Sequence, residues 1–395
     1  MLLLGAAAEP RWIALNRAAG EASRAKDYAK LRDALVAMEP LLPGNSRIVY
    51  NLACAYARFG QPGTAIAGLS RLAAMGLVYD LAADPDLASL KDRPEFREVE
   101  QRMAANRKPV THATLVATLP ERDLIPEDLA YDPRTRRFLI ASVRRAAIFA
   151  SDGRLFAKAP WSVLALRVDA SRSLVWAASG WTAQCESCAL ADKDKSALLA
   201  FDLDSGALRQ RVDSPVKGLL GDMTISRAGD LYVSEGMNGA LLRLRVGAGK
   251  LERLDTGGEF PSPQTPALSA DEKTLYVPDY VRGIAAVSLA DLSVRWLQPA
   301  GNLALSGIDG LYTDHGSFLA VQNGIAPARI VRFAADLSRQ EVLETNTAWL
   351  GEPTHGTVVD GAFYFLADTG WNNWGEDGKK KPGTSPTEST VRMIK

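Results

Sequence analysis

The sequence predicts a mainly β protein, a six-bladed β-propeller over residues 113–395 preceded by a small α-helical domain. Three observations carry this. One phrase, an apolar strand, a turn with Asp, Ser or Gly, and a second strand of the L-Y-V kind, occurs six times, at 129–142, 166–179, 223–235, 266–279, 310–322 and 356–368. Most copies are followed by a further apolar strand, as in GALLRLRV (239–246), GIAAVSL (283–289) and ARIVRFA (328–334). The apolar period also changes from 3.6 to 2 after RKPVTHA at 107–113, which reads as a polar, proline-containing linker at the domain boundary. Short strands repeating every few tens of residues, about four per unit, are the pattern of propeller blades. A blade must bury both faces, and closing the ring does this while leaving only short edges. The strand THATLVATL (111–119) has no blade of its own. It is expected to complete the sixth blade beside STVRMI (389–394), with the intervening 369–388 as a long polar loop.

Residues 11–107 read as helices. In SRIVYNLACAYARFGQPGTAIAGLSRLAAMGL the residues Leu52, Ala53, Tyr56, Gly60 and Ala65 fall at the spacings of a tetratricopeptide repeat. Ala53 and Ala65 allow close helix approach, Tyr56 fills the gap and Gly60 ends the first helix. A weaker unit covers 12–43. A terminal pair of short helices covers 80–103, with Asp84 and Asp92 as candidate caps. Residues 1–10 (MLLLGAAAEP) resemble the end of a signal peptide, with an A-x-A-like site near Ala6–Ala8, and point to a periplasmic or secreted protein; an ordinary frayed terminus in a cytoplasmic one is the alternative.

Lys+Arg and Asp+Glu balance at 46 each, so no basic excess is available to neutralise phosphates and nucleic-acid binding is not indicated. No apolar run reaches the roughly 20 residues of a membrane helix. Cys54 sits in a helical pattern as a buried apolar residue. Cys185 and Cys188 form a lone CxxC, too few ligands for zinc; a local disulfide and two loop thiols both fit. GxSxG, P-loop, GxGxxG and HExxH patterns are absent.

The phrase IPEDLAYDPRTRRFLIAS, with PQTPALSADEKTLYVPDYVRGI and GIDGLYTDHGSFLAVQ, resembles the blades of the gluconolactonase and senescence-marker-protein family. NHL-repeat and strictosidine-synthase-like propellers share the phrase. The residue ahead of each innermost strand points at one channel mouth. Those positions are Glu127, Leu164, Asp222, Gln264 and Asp309, with Glu352 and His355 flanking the sixth. Carboxylates with an amide suit Ca²⁺ or a similar hard cation. The resemblance implies that Glu127 and Asp309 ligate the metal. Gln264 stands where the family has asparagine, and Asp222 is a possible further ligand.

The function so implied is metal-dependent hydrolysis of a lactone or related ester. The cation polarises the carbonyl and acidifies a bound water. Asp309 accepts the proton, with His355 as a second candidate base. Two alternatives stand beside it. One is a non-enzymatic binding or scaffold protein using the helical repeats on a protein partner. The other is a metal-free enzyme of the strictosidine-synthase kind, using Glu352. His112 and His315 read as exposed bystanders and Lys379–Lys381 as a solvated charge run. Trp371 and Trp374 either line a substrate or partner surface or anchor their loop.

Overall fold

The computed structural model describes residues 9–257 and 260–395. The expected signal-peptide remnant lies, through residue 8, outside the described residues. Two compact units form. One is built on residues up to Lys108 with Val281–Gly283 and Gln298–Ser306; the other holds Pro109–Tyr280, Ile284–Leu297 and Gly307–Lys395. No described helix is long and apolar enough to cross a membrane.

The helical unit contains Arg11–Arg24, Tyr28–Met38, Ser46–Arg58, Pro62–Ala74 and Pro94–Ala105. Ala53 faces Gly68 so closely that a Cβ on Gly68 would sit 3.2 Å from the Ala53 methyl, and Ala65 is fully buried. Gly60 turns the chain at φ +80° after the first of these helices, a left-handed conformation suited to glycine. Asn45 caps Ser46–Arg58 through Ile48 N–H and donates its amide to Val281 O at 2.8 Å. Asp84 caps the short 3₁₀ helix Pro85–Leu90. Asp92 does not act as a cap: its helix starts at Pro94, with Arg93 at the cap position and no side-chain cap. Proline at the first helical position removes one orphan N–H, which lessens the need for an acceptor.

The second unit is a ring of six antiparallel sheets. Blade one holds Pro126–Asp132, Arg137–Ser142, Ala147–Ala150 and Leu155–Lys158; blade two holds Ser162–Asp169, Leu174–Gly180, Ser196–Asp202 and Leu208–Asp213. Blade three holds Leu220–Ile225, Leu231–Glu235, Ala240–Leu244 and Glu252–Arg253; blade four holds Ala267–Leu268, Thr274–Asp279, Gly283–Ser288 and Val294–Trp296. Blade five holds Ile308–Asp314, Ser317–Gln322, Arg329–Ala334 and Gln340–Thr345. In blade six Gly356–Val359 is innermost and Ala362–Leu366 follows. Thr390–Ile394 then pairs with Thr114–Thr118, joining the two chain ends as the sequence predicts. The segment read as a linker does more than link. Val110–Thr111 adds a fifth strand to blade five, opposite Thr345 and Glu344. Glu344 accepts from the backbone N–H of His112 and Ala113, so an otherwise open edge is covered.

Apolar layers fill the spaces between blades, as between Leu139, Ile148, Val163 and Val175 of blades one and two. Leu129, Ile140, Leu366 and Val391 form the layer that closes blade six onto blade one. Tyr276 and Phe318 meet edge to face between blades four and five, with ring centroids 4.8 Å apart. One charged link crosses the channel wall. Buried Asp128 accepts from Leu129 N and Leu166 N and from Arg167 Nη1 at 2.7 Å, tying blade one to blade two. Asp128→Ala would leave the Arg167 guanidinium enclosed and unpaired. It should lower the free energy of unfolding by about 3–5 kcal/mol, read by chemical denaturation; a loss under about 1 kcal/mol would mean that the pair behaves like a surface ion pair.

Candidate active site at the channel mouth

The innermost strands are irregular where the candidate residues sit. Their register with the second strand shifts between Pro126 and Leu129, Val163 and Ala165, Leu220 and Asp222, and Ile308 and Gly310. The extra residue of a bulge re-aims its neighbouring side chains. Glu127, Leu164, Asp222 and Asp309 all lie at these irregular steps. His355 immediately precedes Gly356–Val359 of blade six, and its carbonyl accepts from Leu366 N.

Glu127, Asp222, Asp309 and His355 come together around the axis. His355 is 2% exposed. Its Nδ1 lies 2.7 Å from the main-chain oxygen of Glu127, which also accepts from Thr354 Oγ1. Its Nε2 lies 2.6 Å from Asp222 Oδ1 and 4.0 Å from Asp309 Oδ1. The Asp222 approach is too oblique for an aligned hydrogen bond, so this contact is charge pairing. Both ring nitrogens face acceptors, which favours the doubly protonated ring. Burial alone would lower the imidazole pKa, but the Asp222 and Asp309 charges more than offset it and hold the pKa well above its ordinary value.

The carboxylates are each held differently. Asp222 Oδ1 also accepts from Thr265 Oγ1 at 2.7 Å. Asp309 Oδ2 accepts from Asn323 Nδ2 at 2.6 Å, and Tyr280 OH donates to the Asn323 oxygen at 2.8 Å. The Trp371 indole N–H donates to Glu127 Oε2, leaving Oε1 without a hydrogen-bond partner among the described residues. Enclosure raises Asp309 to about 7, with the Asp222 charge adding and His355 opposing. Enclosure likewise raises Glu127 to about 8, opposed by His355 and the Trp371 hydrogen bond and increased by Asp309 and Asp222. Glu127 keeps a partly exposed edge. Glu352 accepts from Asn372 N at 2.8 Å, and burial with nearby Asp368 raises its pKa.

Gln264 turns aside. Its amide nitrogen donates to the Ser262 oxygens at 3.0 and 3.2 Å. Leu164 packs with Ile125, Val143 and Trp374 under the loop after blade six. That loop is folded against the mouth. Lys380, expected in a solvated run, instead pairs with Asp123 at 2.6 Å, a buttress for the turn around Trp374. His112 and His315 are exposed, as read from the sequence. Asn323 and Tyr280 were not singled out by the sequence. A usable signal existed: each follows directly on the second strand of its blade, which runs antiparallel and so returns to the same mouth.

The divalent cation implied by the sequence resemblance can be tested on the donor atoms. Among the described residues, no three of Glu127, Asp222, Asp309 and His355 bring ligand atoms within 4.8 Å of one another. Asn323 and Trp371 already occupy one oxygen each of Asp309 and Glu127, and an imidazolium stands between the carboxylates. This arrangement does not fit an inner-sphere Ca²⁺ site. The set that is close enough, Cys54, Asp84 and Asp86, lies in the helical unit. There Asp84 is engaged by Tyr50 OH and caps a helix, and Asp86 pairs with Arg58.

No protein-family model and no curated protein matches this sequence. Solved structures are similar in fold. The PQQ-bound aldose sugar dehydrogenase of Streptomyces coelicolor has 15% identity and a TM-score of 0.48, covering 73% of this chain and 99% of that one. A chain of a nidogen/laminin complex has 11% identity and a TM-score of 0.43, covering 55% and 79%.

The charge arrangement gives a signed prediction. Glu127 has its folded pKa raised from 4.5 to about 8. Its neutral form is therefore favoured by folding, and that contribution is complete below the ordinary carboxylate range and lost as pH rises towards 8. A Glu127→Gln variant stays neutral throughout. Its Tm relative to the unaltered protein should rise between pH 4.5 and 8, measured by scanning fluorimetry at constant ionic strength. A difference that is flat or falls across this window contradicts the assignment.

Proposed function

We propose that the propeller channel is the active site of a small-molecule hydrolase acting on a lactone or related ester by acid–base catalysis. The observation that supports this is the pair of carboxylates held near neutral pKa over a buried, doubly engaged imidazole. A carboxylate with a pKa near the working pH is an effective general base. Glu127, with a partly exposed edge and Oε1 unengaged, is placed to take the proton from a water that attacks the ester carbonyl. Asp309 is the second proton carrier. His355 changes role relative to the sequence expectation: with acceptors at both nitrogens it holds its protons. It acts instead as a fixed positive charge, paired with Asp222 at 2.6 Å, that offsets negative charge developing on the carbonyl oxygen. Tyr280, Asn323 and Glu352 supply polar contacts for the substrate at the mouth. The site as arranged needs no step through a metal.

A second reading, ligand binding by the helical unit, is favoured by its own cavity of 760 Å³, lined by Trp12, Asn16, Arg24, Arg47 and Asn51 among others. Of those, the two arginines and the two asparagines are exposed. Such a role is compatible with an enzymatic channel and does not explain the axial cluster.

The test is hydrolysis of a lactone and ester panel, followed by proton release. Turnover should survive EDTA, and kcat/KM should climb through pH 7–8 as Asp309 and Glu127 lose their protons. Glu127→Gln should reduce kcat by about 10²- to 10⁴-fold. Activity abolished by EDTA and restored by Ca²⁺ would replace this mechanism with the metal-dependent one. A folded protein inactive on the whole panel would leave the binding reading.

A further inference from the structure

The CxxC segment of blade two is not used by the chemistry above, yet its contacts converge on the channel mouth. Cys185 and Cys188 are joined as a disulfide in the connection between Leu174–Gly180 and Ser196–Asp202. Cys188 packs against the core between blades one and two. The residues around Cys185 reach outward. Gln184 Nε2 donates to Gly375 O at 2.9 Å. Ala183 O sits so close to Gly378 that a Cβ there would meet it at 2.0 Å. Glu186 N donates to Arg144 O at 3.0 Å, and the Glu186 carboxylate pairs with both Arg144 and Arg145. The Arg144 guanidinium in turn lies 4.2 Å from the centre of the Trp374 ring.

Trp374 is the hinge pin of the post-blade-six loop. It is buried against Ile125, Val143 and Leu164, and its N–H bonds to Trp371 O at 2.9 Å. One turn earlier, the Trp371 indole donates to Glu127. A continuous series of contacts therefore runs from the disulfide turn through Glu186, Arg144 and Trp374 to Trp371 and the Glu127 carboxylate.

We infer that the Cys185–Cys188 turn clamps this loop as a fixed cap over the mouth, and that Trp371 is a positioning residue which aims Glu127. The role given to Glu127 rests on the hydrolase reading; the clamp itself does not. A cap held by side chains of two different blades stays in register only if the turn carrying Ala183, Gln184 and Glu186 keeps its shape. A short covalent loop limits the shapes that turn can take.

The experiment compares the full chain before and after reduction by dithiothreitol. Each molecule of dithiothreitol gives two electrons and two protons to the disulfide and closes into its own cyclic disulfide. Amides of residues 371–388 should exchange with deuterium about tenfold faster in the reduced protein, with the blade strands unchanged. The Cys185→Ser/Cys188→Ser variant should match it; should that variant not fold, the reduced unaltered protein carries the same reading. Unchanged exchange over 371–388 in protein shown by mass to be reduced overturns the clamp. On a turned-over substrate, kcat/KM should fall about tenfold on reduction. Trp371→Phe, with the disulfide intact, should leave exchange unchanged and move the pH midpoint of kcat/KM upward, because a donor to ionised Glu127 is lost. An unmoved midpoint removes the positioning role. Absence of turnover in the unaltered protein would count against the hydrolase reading alone, since exchange still decides the clamp.

Discussion

Closure of the ring is the constraint on which the propeller depends. Each blade is a sheet with two apolar faces, and neither face is covered unless a blade stands on both sides. The chain meets this by setting Thr114–Thr118 beside Thr390–Ile394, so that an early strand and the last one share one blade. The layer from Leu129 and Ile140 to Leu366 and Val391 is then continuous across the seam. Closure also fixes where polar groups can go. The innermost strands crowd at the axis, where apolar side chains from six directions would leave gaps and polar ones can pair across. Asp128 with Arg167, Asp222 with His355, and Asp309 with Asn323 are such cross-blade or near-axis pairings.

The axial charges are not a neutral salt-bridge lattice. Three carboxylates approach one imidazole, so the imidazole can compensate only part of their charge. Burial first, and then this excess of negative charge, pushes Glu127 and Asp309 up toward neutrality, whereas hydrogen-bond donors hold the surface carboxylates Asp152 and Asp202 low. The same excess could be met by a divalent ion if the oxygens converged on a point. They do not: each is drawn toward its own donor, Thr265, Asn323 or Trp371.

The blades were legible in the sequence because their signal is periodic and apolar; all six phrases fall on the first two strands of a blade, and the seam between chain ends followed from a strand left without partners. Four of the mouth-lining positions, Glu127, Asp222, Asp309 and His355, were legible too, although the first three lie within their inner strands rather than ahead of them. What those residues do to one another was not. Register shifts in the inner strands rotate Glu127 and Asp309 relative to a regular strand, and nothing in a strand pattern announces a bulge. Gln264 has no such shift to aim it and bonds locally to Ser262. Val110–Thr111 read as linker because two residues are too few to show a period, and their strand character comes from the edge they cover.

The long segment after blade six shows most clearly how composition can mislead. Its residues are polar, glycine-rich and charged, and a free loop is the simplest expectation for them. Its fold comes from a few residues with particular partners: Trp374 among apolar side chains, Asn373 bonded to Ser385 O and Thr387, and Lys380 on Asp123. Glycine at 378 is required because the turn passes against Ala183 O with φ +76°. The segment is therefore an irregular but fully specified element, and it carries the indole that meets Glu127. A regular propeller would present six similar strand ends to solvent; here the irregular additions to it, the bulges, the disulfide turn and the cap, make one mouth chemically unlike the other.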